Sequence, residues 1–229
     1  MYLPEACLFD LDGVLLDTEV LHSEAWSTSA ARFGIKLTLD QLNSLRGKRR
    51  IECAEQIIKS AKKSISTNTF LKTHQPISEK LMRKVKAISG AETIVKWCFQ
   101  NKLPMALVTS STSSSVDVKT ASHVWINLIR TKVYGDDSSL QKGKPAPDPF
   151  LLATKKLEVD PKCCWAIEDS ISGVTSALAA GCKVWMLNNL IEDIGQKRIF
   201  KDMPNLHKVK HLSQVLYELK NNNESNIIG

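Results

Sequence analysis

Residues 9–18 read Phe9-Asp10-Leu11-Asp12-Gly13-Val14-Leu15-Leu16-Asp17-Thr18, directly after the apolar run Ala6-Cys7-Leu8-Phe9. That run reads as a buried strand, in which side chains two apart share a side. Where it ends, Gly13 lets the backbone turn, so Asp10 and Asp12 can converge at one strand tip. Carboxylates that close resist joint ionisation and call for a bound cation, a shared proton, or both. One can then attack an electrophile while the other handles a proton. An Asp-Gly turn closing a strand is the competing reading, and the rest of the chain decides between them.

Working outward, the apolar β-rich runs 5–10, 104–109, 163–168 and 183–187, with a shorter one at 132–135, alternate with helical patterns at 91–101, 113–123, 147–157 and 170–180. Such alternation predicts right-handed βαβ units and a parallel sheet, an α/β fold. Ligands of open parallel sheets sit beyond the carboxyl ends of the strands. The polar residues of interest follow their strands directly.

Residues 16–86 break the rhythm, for they hold no convincing strand. A helix is predicted over 19–33, stopping at Gly34. Thr38-Leu39-Asp40-Gln41 has the capping-box form and opens a second, short one. A third covers 50–63 and one or two more fill 67–86, where Pro76 should kink or divide the pattern.

Three further stretches carry chemistry. Ala106-Leu107-Val108 ends at Thr109-Ser110-Ser111, where hydroxyls and the N–H groups of a following helix can bind a phosphoryl group; a flexible Ser/Thr loop is the bland alternative. Lys142-Gly143-Lys144-Pro145-Ala146-Pro147-Asp148-Pro149 offers a compact cation on a chain stiffened by prolines. Trp165-Ala166-Ile167 ends at Glu168-Asp169-Ser170, and acidic oxygens of this kind suit Mg²⁺.

Taken in order, the four stretches resemble motifs I to IV of the haloacid dehalogenase-like phosphohydrolases, and the likeness covers nearly the whole chain. It implies a Rossmann-like parallel-sheet core (residues 1–15 and 87–229) with a small all-helical cap inserted after the first strand (16–86). Asp10 would be the nucleophile that forms an aspartyl-phosphate, Asp12 the general acid/base and Lys144 the catalytic cation. Thr109, Ser110 and Lys144 would bind phosphate. Mg²⁺ would lie on Asp10, the main-chain carbonyl of Asp12, and Asp169, with Glu168 either a further ligand or an acceptor behind it.

In the cap, His22-Ser23-Glu24-Ala25-Trp26 is similar to the β-phosphoglucomutase and sugar-phosphatase branch, which implies that His22 gates the site near Asp12. A half-buried helix histidine is the even alternative. Leu45-Arg46-Gly47-Lys48-Arg49-Arg50 resembles that branch's substrate loop. Arg46, Gly47 and Arg50 are its candidate substrate residues, together with Ser111, while Lys48 and Arg49 read as solvated charge and Trp26 as cap packing. The mutase branch has Lys-Asn where this chain has Thr112-Ser113. That departure favours a phosphatase over a phosphomutase; a non-catalytic scaffold is the third class. The stretch 120–134, with Trp125 and Arg130, also departs from the family and is expected to shift a loop near the site.

Composition sets the outer bounds. The 229 residues carry a net charge of +7. The basic residues are spread out and no nucleic-acid motif accompanies them, so the partner expected is a small phosphorylated metabolite, not nucleic acid. No apolar run reaches the about 18 residues of a membrane span. Six cysteines without metal-ligand spacing predict a reduced cytoplasmic protein. A monomer is expected, with a frayed polar tail over 221–229.

Overall fold

The structure, a computed structural model, describes residues 3–45, 48–61, 63–187 and 203–227, with side chains as far as 223. Its centre is a six-stranded, all-parallel sheet. In chain order the strands are β1 (Ala6–Phe9), β2 (Met105–Val108), β3 (Thr131–Val133), β4 (Cys164–Glu168), β5 (Lys183–Leu187) and β6 (Leu206–Val209), and across the sheet they run β3-β2-β1-β4-β5-β6. β1 lies centrally, with Leu8 opposite Ala106 on one side and Ala166 on the other. The tips of β1, β2 and β4 therefore stand side by side.

Both faces of the sheet are covered, so its central strands β1 and β2 are apolar throughout, and β4 and β5 nearly so, rather than alternating with polar residues. Cys7, Phe9, Met105, Leu107, Trp165, Ile167, Trp185 and Leu187 point to one face. There they meet α5 (Ala91–Gln100) and the C-terminal helix α9 (Leu212–Ile227). Ala6, Leu8, Ala106, Val108, Cys164, Ala166, Val184 and Met186 point to the other face. They pack on α7 (Asp148–Leu157) and α8 (Ile171–Ala179). α6 (Ser113–Thr120) leaves the β2 tip and is followed by a 3-10 turn (Val124–Leu128).

Between β1 and β2 the chain is helical, as its sequence predicts: α1 (Glu19–Ala31), α2 (Leu39–Asn43), α3 (Arg50–Ile58) and α4 (Thr67–Met82). The Thr38–Gln41 capping box forms at the start of α2. These helices have their own core of Trp26, Ala30, Ile35, Leu45, Cys53, Ala54, Ile57 and Phe70. The two connections to the sheet run together, with Asp17 N–H donating to Lys86 O at 2.8 Å and Ile88 N–H to Leu15 O at 3.0 Å.

Two expectations need correction and one is narrowed. Pro76 lies inside α4 without dividing it. Phe70, His74 and Met82, buried before and after it, pin both halves, and that packing outweighs the missing donor. The third helix stops at Ile58 rather than 63. The tail is not frayed from 221: α9 continues to Ile227, Asn222 is buried and donates to Glu218 O at 2.6 Å, and Asn223 reaches Asn101. Residues 120–134 pack Trp125 and Ile126 into the core, and Gly135 and Asp136, which follow directly, line the cleft described below. β6 is an addition, a short edge strand whose polar residues gave no apolar run.

Candidate active site

Asp10 follows β1, Thr109 follows β2 and Glu168 closes β4, so sheet order alone brings these polar residues to one edge. Gly13 makes the turn after β1 possible with φ +86°, and a Cβ there would overlap the Asp169 carboxylate. Gly173, in the first turn of α8, likewise leaves room for the Glu168 side chain.

The Asp10 carboxylate is buried and accepts from Lys144 Nζ at 2.6 Å. That ammonium also donates to Val108 O at 2.8 Å and pairs with Glu168. Glu168 Oε2 accepts from the N–H of Asp169 at 3.1 Å and the hydroxyl of Ser170 at 3.2 Å. Asp10, Glu168 and Asp169 each bring a carboxylate oxygen within 4.8 Å of the others. Hard oxygen donors in that number fit Mg²⁺. The Asp12 side chain lies outside this group.

Asp12 belongs to a second cluster. Its Oδ1 accepts from Lys119 Nζ at 2.6 Å and its Oδ2 from the Ser111 hydroxyl at 2.8 Å. Lys119 Nζ donates to Ser111 Oγ as well, at 2.8 Å. His22 Nε2 lies 3.4 Å from both Asp12 Oδ1 and Lys119 Nζ.

The two carboxyls titrate in opposite directions. Burial pushes Asp10 up to about 8; Lys144 opposes this, while Glu168 and Asp12 add to it. Burial would raise Asp12 too, but Lys119 and His22 outweigh it and hold the group well below the usual carboxylate range. On Lys144, burial is overcome by Asp10 and Glu168, which keep its ammonium charged beyond the usual lysine range.

Thr109 is buried, and its hydroxyl oxygen accepts the Ser111 N–H at 3.1 Å. Above the strand tips opens a cavity of about 360 Å³, walled by the sheet loops on one side and helices α1, α3 and α4 on the other. Asp10, Asp12, Thr109, Ser110, Ser111, Lys144 and Asp169 line its floor. Ser111 thus sits on the sheet side, against Asp12, rather than with the cap residues. From the helical side come His22, Trp26, His74 and Arg50. Lys48 and Arg49 line the cavity as well, Lys48 held by Gln56 and Arg49 with its guanidinium against Gly143. Arg46 and Gly47 lie outside the described residues.

Lys119 is the site residue that sequence reasoning missed. The available signal is its place three residues after Val116 on the buried face of α6, where a solvated lysine would not be put.

The sequence profile described as "Haloacid dehalogenase-like hydrolase" matches residues 7–187. The chain belongs to the haloacid dehalogenase-like hydrolases. A Drosophila melanogaster member named "Probable pseudouridine-5'-phosphatase" is 33% identical over 217 residues, covering 93% of this chain and 89% of that one. (DL)-glycerol-3-phosphatase 2 of Arabidopsis thaliana is 30% identical over 198 residues, covering 84% of this chain and 82% of its own length. A β-phosphoglucomutase crystal structure from Clostridium difficile has the same fold, with a TM-score of 0.75 over 99% of this chain and 100% of that one, at 24% identity. With these relatives the chain takes its place among the family's phosphoric monoester hydrolases. Among the described residues no helix is long and apolar enough to cross a membrane.

Proposed function

We propose that this haloacid dehalogenase-like hydrolase is a Mg²⁺-dependent phosphatase of small phosphorylated metabolites, sugar phosphates foremost, working through an aspartyl-phosphate on Asp10. The observation that carries the reading is the meeting of two carboxyls at the floor of one cleft, Asp10 on Lys144 beside Glu168 and Asp169, and Asp12 on Lys119 and Ser111. The division into a sheet core (1–15 and 87–229) and a helical cap (16–86), with a monomeric state and cytoplasmic location, belongs to the same proposal.

In the first half of the reaction an oxygen of the ionised Asp10 carboxylate, the form that Lys144 favours and a bound cation would favour further, bonds to phosphorus, the ester P–O bond breaks, and the leaving alkoxide takes a proton from Asp12. In the second half water attacks phosphorus, the Asp10–phosphorus bond breaks, and Asp12 takes the water's proton. Lys119 and His22 hold free Asp12 as the carboxylate, so the first proton must arrive with the substrate. A phosphate monoester, whose second pKa is about 6, can bring it as the monoanion. Lys144, the Thr109 hydroxyl and the Ser110 N–H face the phosphoryl oxygens and stabilise charge there. Asp10, Asp169 and the Asp12 carbonyl would hold Mg²⁺, with Glu168 as a further ligand or as the group orienting Lys144. When bound, the ion supplies Lewis-acid neutralisation of the phosphate. The helices above exclude water, and Arg50, Arg46 and Gly47 are the proposed contacts to the rest of the substrate, with His22 at the hinge.

Hydrolysis is favoured over transfer to a sugar acceptor because Thr112-Ser113 offers no cation for a second phosphate. Thr112 instead caps α6, accepting the Ser115 N–H at 3.3 Å. The test is phosphate release, with Mg²⁺ or EDTA, from pseudouridine 5'-phosphate, glycerol 3-phosphate and hexose and hexitol phosphates. One further well holds β-glucose 1-phosphate with a trace of glucose 1,6-bisphosphate. Mg²⁺-dependent free phosphate is expected. Glucose 6-phosphate without free phosphate would make the enzyme a mutase, and silence throughout would leave a scaffold.

A further inference from the structure

Lys119 is a cation with 1% of its surface exposed, on a helix face where an apolar side chain would pack without cost. Burying an ammonium costs several kcal/mol unless partners meet it, so its placement needs a local reason. Its partners supply one: Asp12 Oδ1 at 2.6 Å and Ser111 Oγ at 2.8 Å, with the ring closed by the Ser111 hydroxyl on Asp12 Oδ2 at 2.8 Å. Each oxygen of Asp12 is therefore gripped by a separate donor. Both donors come from the segment that follows β2, which also carries Thr109. His22 of α1, 3.4 Å from Lys119 Nζ, brings the helical side to the same point.

We propose that Lys119 is the positioning residue of Asp12, fixing that carboxylate relative to the phosphate-binding loop so that it meets the leaving oxygen and then the attacking water. Lys144 serves Asp10, and Lys119 serves the proton-handling group. This gives α6 a role in proton transfer although no part of Lys119 needs to touch substrate. The inference rests on the phosphatase reading above.

The experiment compares wild type with Lys119→Met and Ser111→Ala, each with Mg²⁺, on the metabolite ester that wild type hydrolyses best and on p-nitrophenyl phosphate. With the metabolite ester, Lys119→Met should lower kcat by about 100-fold or more and leave KM within about threefold, the mark of a lost transition-state contribution. Nitrophenolate leaves without a proton. On that substrate the variant should release one equivalent rapidly and then turn over slowly, because water attack still needs Asp12. A raised KM with unchanged kcat would make Lys119 a substrate contact and overturn the proposal. So would wild-type kinetics with a lowered melting temperature, or loss of the nitrophenol burst in a folded variant. Should Lys119→Met fail to fold, Ser111→Ala carries the test: it should show the same split at about tenfold, and unaltered turnover would overturn the proposal. Wild type silent toward every ester sinks the phosphatase reading itself, whereas an active wild type matched by its variants sinks this inference alone.

Discussion

Asp10 and Asp12 are two residues apart, and each has a buried lysine Nζ at 2.6 Å, yet one carboxyl is driven up to about 8 and the other well down. The difference lies in who shares the lysine. Lys144 divides its charge between Asp10 and Glu168, and Asp12 adds its own repulsion to Asp10. Lys119 has Asp12 as its one carboxylate contact among the described residues, and His22 reinforces it. A lysine beside an acid therefore does not by itself fix the acid's state: burial raises both carboxyls, and at Asp10 the neighbouring Glu168 and Asp12 add to it while at Asp12 His22 helps the lysine oppose it. The crowded half has reason to take a divalent cation, whereas the other half already has its charge met by Lys119 and His22.

The largest effect that could break this comparison comes from Asp10→Asn. The amide cannot form the phosphoryl ester, so turnover should fall by at least about 1,000-fold on the catalytic scale expected for a lost nucleophile. The circular dichroism spectrum should stay as in wild type. Substantial phosphate release from the folded variant would remove the nucleophile from Asp10 and with it the division of labour between the halves.

A smaller effect separates the halves by metal. If the ion belongs to the Asp10 side, Mg²⁺ at about 100 times its Kd should stabilise wild type by about 2.7 kcal/mol. For a chain of this size that is a Tm rise of about 5 to 10 °C. Asp169→Asn should lose most of that rise, and Ser111→Ala, on the Asp12 side, should keep it while losing activity. An equal loss in both variants, read by thermal melting, would show that the two clusters act as one site.

What the sequence discloses follows the same line. Asp10, Asp12, Thr109, Glu168 and Asp169 stand in short contiguous runs at strand ends, so spacing and strand order are enough to bring them together, while Lys144 is marked by its proline-rich run before α7. The Asp12–Lys119 pair spans 107 residues, and only the packing of α6 creates it. Lys119 reads along the chain as one more charge until its register with Val116 is noticed. The sheet was legible in its buried strands and not in β6, whose partly exposed Leu206-His207-Lys208 lacks an apolar run. Leu212, Val215, Leu216 and Leu219 carry the helical spacing of α9, but the polar run after them masks how far it extends. In the cap, Pro76 argues locally for a break, and burial of its neighbours decides otherwise.

The smallest effect concerns a buried titratable group on the cap side of the cleft, one that has no ion partner among the described residues. His74 is stacked on Trp26, ring centroids 3.6 Å apart, with its Nδ1 3.1 Å from Ser29 Oγ. The Ser29 hydroxyl donates to Ala25 O at 2.6 Å, so Nδ1 carries the proton of a neutral ring and donates to Oγ. Burial, with the nearby His22 and Arg50, pushes this imidazole down to about 3. The unfolded chain, with an ordinary histidine near 6.5, binds a proton that the folded protein refuses between about 3 and 6.5. Stability from this group is therefore complete above about pH 6.5 and is lost as pH falls, by up to about 1.4 kcal/mol per pH unit. Between pH 7 and 5 wild type should lose about 2 kcal/mol more unfolding free energy than His74→Phe, read from urea titrations at each pH. Parallel curves for the two proteins would show that the cap admits water to His74. The cap would then fail to seal the side of the cleft that faces Asp12, and the isolation of the two carboxyls from solvent would have to come from the core alone.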